Sequence, residues 1–172
     1  MTMVQADLRG KMFRGQRQLP DQEARKFLGQ QKIAFIGTTD AVSNPYVVPM
    51  SFIYESGDEL WFHTGPHEGH MFHNIAANAR ICLTVAGIGS LTPVKDGFAC
   101  DSSLLYSSIV VFGTAKVIDD REKKIWFFDR MVEKYGDPSL TFKPGYPMVD
   151  RIILFRMAIE ILTGKQNTGM AH

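Results

Sequence analysis

Four of the chain's five histidines, His63, His67, His70 and His73, fall in the stretch from Leu60 to Ile75. Imidazoles this close together can bind a metal, move protons or simply pack. Their spacing of four, three and three residues would align them on one face of a continuous helix. The stretch does not read as one. Leu60-Trp61-Phe62 is an apolar run of strand type, Gly65-Pro66 and Gly69 are turn punctuation, and Phe72 and Ile75 return at helical spacing. This pattern predicts a strand, a tight polar turn and a helix starting near residue 69. His63 then belongs to the strand, with Phe62 facing the other way, and is set apart from the other three. No metal-site spacing of His with Cys or carboxylates accompanies them, so no metal centre is expected. His67 and His73 read as surface or helix-flank residues, and His63 as ligand-facing.

The first N–H groups of the helix after Gly69 have no internal partners and favour an anion, usually a phosphate. Tyr106-Ser107-Ser108 opens a β-like run, where hydroxyls can face solvent or join such a phosphate site. Cys100 has no base tied to it in sequence and reads as a packed or exposed thiol. Lys165, in Thr-Gly-Lys, lacks the glycines and helix of a P-loop and stands as a single cation after the last strand.

These groups need elements to position them. Residues 1–18 are polar and basic and read as an arm. Pro20, with Asp21 and Glu23 following, starts a short amphipathic helix over about 20–31. Strands are expected at 33–39, 46–54, 60–64, 80–86, 104–118 and 151–162. Pro49 inside the second confines that strand to an edge or bulge. Residues 87–103, with Gly87, Gly89, Pro93 and Gly97, read as a long loop. Asp119 and Glu122 have capping-box spacing ahead of a helix that Gly136 stops. Residues 137–149 read as a loop. Six strands with tight connections predict a mainly β domain, a small antiparallel barrel with flanking α helices.

A chain of 172 residues, 45% hydrophobic, is expected to form one domain, 19–165, between the arm and a tail at 166–172. A net charge of +1 and no basic block argue against nucleic acid. Two cysteines make no disulfide framework, the N-terminus lacks the apolar core of a signal peptide, and no apolar run approaches the roughly 20 residues of a membrane span. A cytoplasmic protein without membrane attachment is expected.

The series Pro45 to Phe52, Phe62-His63-Thr64, Gly69-His70, Tyr106 to Gly113 and Ile161 to Lys165 resembles the pyridoxamine-phosphate-oxidase-like flavin-binding split barrels, most of all their nitroimidazole-resistance branch. The likeness runs from about Phe13 to Lys165. It implies a six-stranded antiparallel split barrel that forms a homodimer, with FMN in each of two interface clefts. By motif match Val48, Pro49, Met50 and Ser51 would line the flavin ring through backbone groups, with Pro49 at a bulge. His63 and Thr64 would lie beside the ring, His63 as the catalytic proton donor. Gly69, His70 and Met71 with Ser107 and Ser108 would hold the phosphate. The family usually has cations where this chain has Met71 and Ser107, so the helix dipole, hydroxyls, Lys165 or an arm arginine would have to compensate. The C-terminal Arg-Leu-x-Pro segment of true pyridoxamine phosphate oxidases is absent.

The function this resemblance implies is a flavin-dependent reductase of small planar acceptors such as nitroimidazoles. The alternatives are a flavin carrier or sensor without turnover, vitamin oxidation of the pyridoxamine-phosphate-oxidase type, and a haem-binding relative on the same barrel.

Overall fold

The computed structural model describes residues 7–93 and 102–169. Six long strands carry the fold: β2 (Ile33–Thr39), β3 (Pro45–Ile53), β4 (Glu59–Thr64), β5 (Arg80–Pro93), β6 (Ser102–Ile118) and β7 (Ile153–Asn167). A two-residue strand, β1 (Gln18–Leu19), pairs with Lys165 and Gly164 of β7. All pairings are antiparallel, in the order β1-β7-β4-β3-β2-β5-β6, and β6 also pairs with β7. That last ladder closes the sheet into a barrel.

Alternation along the strands builds the interior. Ala34 and Ile36 of β2, Leu60 and Phe62 of β4, Leu83 and Val85 of β5 and Ile109 and Val111 of β6 are buried in one cluster. Helix α1 (Asp21–Gln30) adds Ala24 and Leu28 to this cluster, and helix α2 (His70–Ala77) adds Met71 and Ile75. The two helices close opposite ends. Helix α1 seats on Gly164, where a Cβ would lie 2.7 Å from that of Ala24. Helix α2 is tied to the other end, through Asn74 Nδ2 to Thr38 Oγ1 (3.0 Å) and Asn78 Nδ2 to Thr39 Oγ1 (2.9 Å). Helix α3 (Arg121–Tyr135) lies outside the barrel, where Phe127 joins Ile53, Trp61 and Leu154 in a second cluster. The Tyr135 hydroxyl at its end shares its one proton between Lys32 O (2.7 Å) and Phe52 O (2.8 Å) and accepts from Phe52 N (3.0 Å).

Three expectations need correction. The segment 87–103 is not a loop as far as it is described: β5 runs to Pro93, paired with β6 from Ser102, and a register shift between Ile88 and Leu91 absorbs the glycine-rich part. Cys100 lies outside the described residues. Pro49 makes no bulge, because the β2–β3 register runs unbroken through Phe35↔Pro49. The bulge in β6–β7 is at Phe112/Gly113 instead, where a Cβ on Gly113 would fall 2.0 Å from Ala158 O. The cap of α3 is Asp120, whose carboxylate accepts from Lys123 N (2.9 Å); Asp119 pairs with Lys124 Nζ instead (2.6 Å). No helix among the described residues is long and apolar enough to cross a membrane.

Candidate functional site

Strands β3 and β4 pair only at Phe52↔Phe62 and Ile53↔Trp61. From Pro45 to Ser51, β3 is laddered to β2 on one side and has no strand partner on the other. This is the split in the barrel, and it explains Pro49: a proline is tolerated where an edge asks for no ladder donor. Val48 and Met50 pack against the core, while Pro49 faces out. Backbone groups of Val48 to Ser51 along this edge are therefore free to meet a ligand.

His63 and Thr64 end β4. The His63 side chain lies on the outer side of the sheet beneath α3, 5.1 Å from the Phe127 ring centre and 6.4 Å from that of Phe128. Its Nδ1 is buried without a hydrogen-bond partner. Burial holds its pKa below the ordinary 6.5, so at pH 7 the imidazole is neutral. The residue thus does not carry the unperturbed pKa that suits a ready-charged proton donor. Thr64 points to the opposite side of the strand, and its Oγ1 is also buried and unpartnered. Two orphaned polar atoms on consecutive residues are uncommon, because each costs about 1–3 kcal/mol.

Gly69 is the N-cap of α2, with no side-chain cap, so the first N–H groups of the helix are open. His70 is exposed and its ring lies 4.2 Å from that of Tyr46. Met71 is 4% exposed in the core, so that position presents no polar group to an anion. His67 and His73 are exposed, and no group of three or more metal-ligating side chains is assembled among the described residues.

Ser107, Ser108 and Lys165 meet at the other end of the barrel. Ser108 stands opposite Lys165, and Ser107 opposite Gln166. Helix α2 keeps both its ends away from them: His70 stacks on Tyr46, and Ala79 O, just past its C-terminus, accepts from Ala115 N (2.8 Å). Ser108 is seven residues from Ala115 along β6, roughly 23 Å at about 3.3 Å per residue. Within one chain, the two halves of the expected phosphate site are not brought together.

Two features escaped the sequence. A cavity of about 400 Å³ lies on the outer face of β2, β3, β5 and β6, walled by Tyr46, Val47, Ile81, Cys82 and Phe112, with Arg80 on its lining. The unbroken apolar run Ile33-Ala34-Phe35-Ile36 signals it, since a strand with one solvated face should alternate. Phe35 is 49% exposed and Val47 62%. Burial pushes the Cys82 thiol pKa up, which keeps it protonated. The second is the placing of Lys165 Nζ 5.7 Å from the centre of the Tyr106 ring, which no local pattern announces.

Among solved structures, the chain is similar to a Bacteroides thetaiotaomicron protein named for 5-nitroimidazole antibiotic resistance, with 27% identity over 87% of this chain and 86% of that one and a TM-score of 0.73. It is also similar in fold to the flavocytochrome Anf3 of Azotobacter vinelandii (22% identity, 96% and 76% covered, TM-score 0.77). The same holds for an FAD-binding protein of Mesorhizobium loti (22% identity, 88% and 98% covered, TM-score 0.64). No curated protein matches the sequence significantly. The pattern of the pyridoxamine 5'-phosphate oxidase family matches residues 20–163, nearly the whole barrel, and the chain belongs to that family.

Proposed function

We propose that the protein is a flavoprotein that uses FMN to reduce small planar acceptors such as nitroimidazoles, and that it works as a homodimer. The observation that carries this is the open edge of β3 beside Thr64 and the uncapped start of α2. An unladdered run of backbone groups suits the polar rim of a flavin ring, and the orphaned Thr64 Oγ1 with the free N–H groups of α2 suits a phosphate. When bound, FMN would supply hydride transfer. The backbone of Val48 to Ser51 would orient the ring. Ser107, Ser108 and Lys165 would reach the same phosphate only from a second chain, since they sit at the far end of their own barrel. The exposed Ile33, Phe35 and Val47 give that second chain an apolar face to cover. The likeness to a protein named for 5-nitroimidazole resistance supports the acceptor class.

His63 would act from a neutral imidazole, holding a proton on one ring nitrogen and offering the other as acceptor. Its enclosure by Phe127 and Phe128 is the observation that favours the second possibility, a flavin carrier without turnover. The deciding experiment takes the purified protein through an absorption spectrum, sedimentation and an anaerobic assay with a nitroimidazole and a nicotinamide donor. Flavin bands, a dimer and acceptor-dependent oxidation of the donor are expected. Flavin without turnover would establish the carrier; a colourless protein, or a monomer of 19.3 kDa that binds flavin, would overturn the shared-cleft proposal.

A further inference from the structure

The chain has two tryptophans, and both meet in one place. Trp61 of β4 and Trp126 of α3 pack edge to face with ring centres 5.2 Å apart, in the cluster that α3 builds on the sheet. Lys123, three residues before Trp126, shares its side of α3. Its Nζ lies 5.5 Å from the Trp126 ring centre and 5.9 Å from that of Trp61. Lys123 forms no ion pair among the described residues, so its ammonium rests on the indoles alone. A cavity of about 360 Å³ opens beside it, between α3 and the turn joining β3 to β4, and Glu55, Asp58 and Glu59 are in its lining.

That turn is fixed by its own contacts. Gly57 O accepts from the Tyr54 hydroxyl (3.1 Å), and Asp58 O from Ile159 N (2.8 Å). Each carboxylate is oriented by an arginine through one oxygen: Asp58 Oδ1 by Arg25 (2.9 Å), Glu59 Oε1 by Arg156 (2.8 Å) and Glu55 Oε1 by Arg130 (3.5 Å). An ionised carboxylate has about four acceptor sites, so lone pairs remain for further donors. An anion here would meet three carboxylates, and a neutral ligand would leave Lys123 on the rings. A ligand ammonium suits both the acceptors and the indole faces. We propose that this cavity binds a short aliphatic diamine. One ammonium displaces that of Lys123 from Trp61 and Trp126, and the other lies against the carboxylates. Lys123 itself shows what the rings accept, a primary ammonium on an aliphatic stem. The three arginines offset part of the carboxylate field, which makes the site weak and salt-dependent. It lies apart from the open β3 edge and does not depend on the flavin assignment.

Because both tryptophans line the cavity, the whole tryptophan emission of the protein reports on it. The test titrates 1,5-diaminopentane at constant ionic strength, with 1,5-pentanediol as the neutral control. It compares the wild type, Lys123→Ala and the double variant Glu55→Gln/Asp58→Asn, and melting temperatures without ligand check that each folds. A saturable change with the diamine and none with the diol is expected. Removing Lys123 takes away an internal competitor, so its alanine variant should bind about 2- to 5-fold more tightly. The double variant should bind about 3- to 10-fold more weakly; if it does not fold, Lys123→Ala decides alone. No saturable response to the diamine, an equal response to the diol, or the same affinity in wild type and folded variants overturns the site. Weaker binding by Lys123→Ala overturns it too, since Lys123 would then be recruiting the ligand rather than competing with it.

Discussion

Replacing His63 by leucine should make the protein more stable and less active. Leucine keeps apolar contact in the layer formed by Phe127, Phe128 and Leu154. It also removes the buried Nδ1 that has no partner, a gain of about 1–3 kcal/mol. Against this, the edge-to-face contact with Phe127 is lost, worth about 0.5–1.5 kcal/mol. The orphaned nitrogen outweighs the ring contact, leaving a net gain of about 1 kcal/mol, or roughly 2–4 °C in Tm for a chain this long.

The pH dependence gives a second, independent readout. The folded pKa of His63 lies below 6.5, so beneath that pH the unfolded chain binds a proton that the native one refuses. This contribution to wild-type stability is complete above about pH 6.5 and falls as pH drops from there towards the depressed folded value, by at most about 1.4 kcal/mol per unit. The leucine variant lacks that loss, so its advantage should widen from pH 7 to pH 5 in urea denaturation. With the flavin loaded, turnover should fall by about 100-fold or more, the usual effect of a lost proton-handling group. A variant destabilised by more than about 1 kcal/mol, with parallel pH curves and normal turnover, would refute both the orphaned nitrogen and the catalytic role.

Gly113→Ala should destabilise by about 3 kcal/mol or more, because the new methyl would meet the Ala158 carbonyl at 2.0 Å in the β6–β7 bulge; an unchanged urea midpoint would show that the bulge can relax. Tyr135→Phe should cost about 1–3 kcal/mol, with an unchanged urea m-value. Phe52 N loses its acceptor, whereas Phe52 O keeps Lys134 Nζ at 3.1 Å. Asp120→Ala should cost about 1 kcal/mol while Asp119→Ala costs less, which thermal melts of the two variants would check against the observed cap.

The barrel was legible where period and punctuation agree. The turn punctuation at Gly65-Pro66 and the switch to helical spacing after Gly69 both carried over into the structure. The glycine-rich composition around Gly87 suggests an end to β5, which the structure carries on to Pro93. At Gly87 the space has an occupant, since a Cβ there would lie 3.2 Å from the Phe27 ring, so tertiary packing from α1 keeps the strand going. At Pro49 an edge, not a bulge, removes the need for an N–H. His63 was legible as separate from the other histidines, but what lies over it was not. Helix α3 lies some 60 residues further on, and no local pattern says that Phe127 and Phe128 will enclose an imidazole and depress its pKa.

Motif order can place residues in one family without placing them in one site. Gly69 follows Thr64 by a turn, and the helix it opens stays against Thr38, Thr39, Tyr46 and Ala115. Ser108 and Lys165 face each other at the end that α1 closes. The strand between them sets the separation, and no loop movement can shorten a paired strand. A phosphate held at one of these groups is kept from the other by that length of paired strand. It can touch both if a second barrel lies antiparallel against the outer face, where Phe35 and Val47 remain about half exposed and the open edge of β3 runs alongside. The unpaired edge, the exposed apolar face and the divided anion contacts are three separate observations, and the proposed symmetric dimer would account for all of them at once.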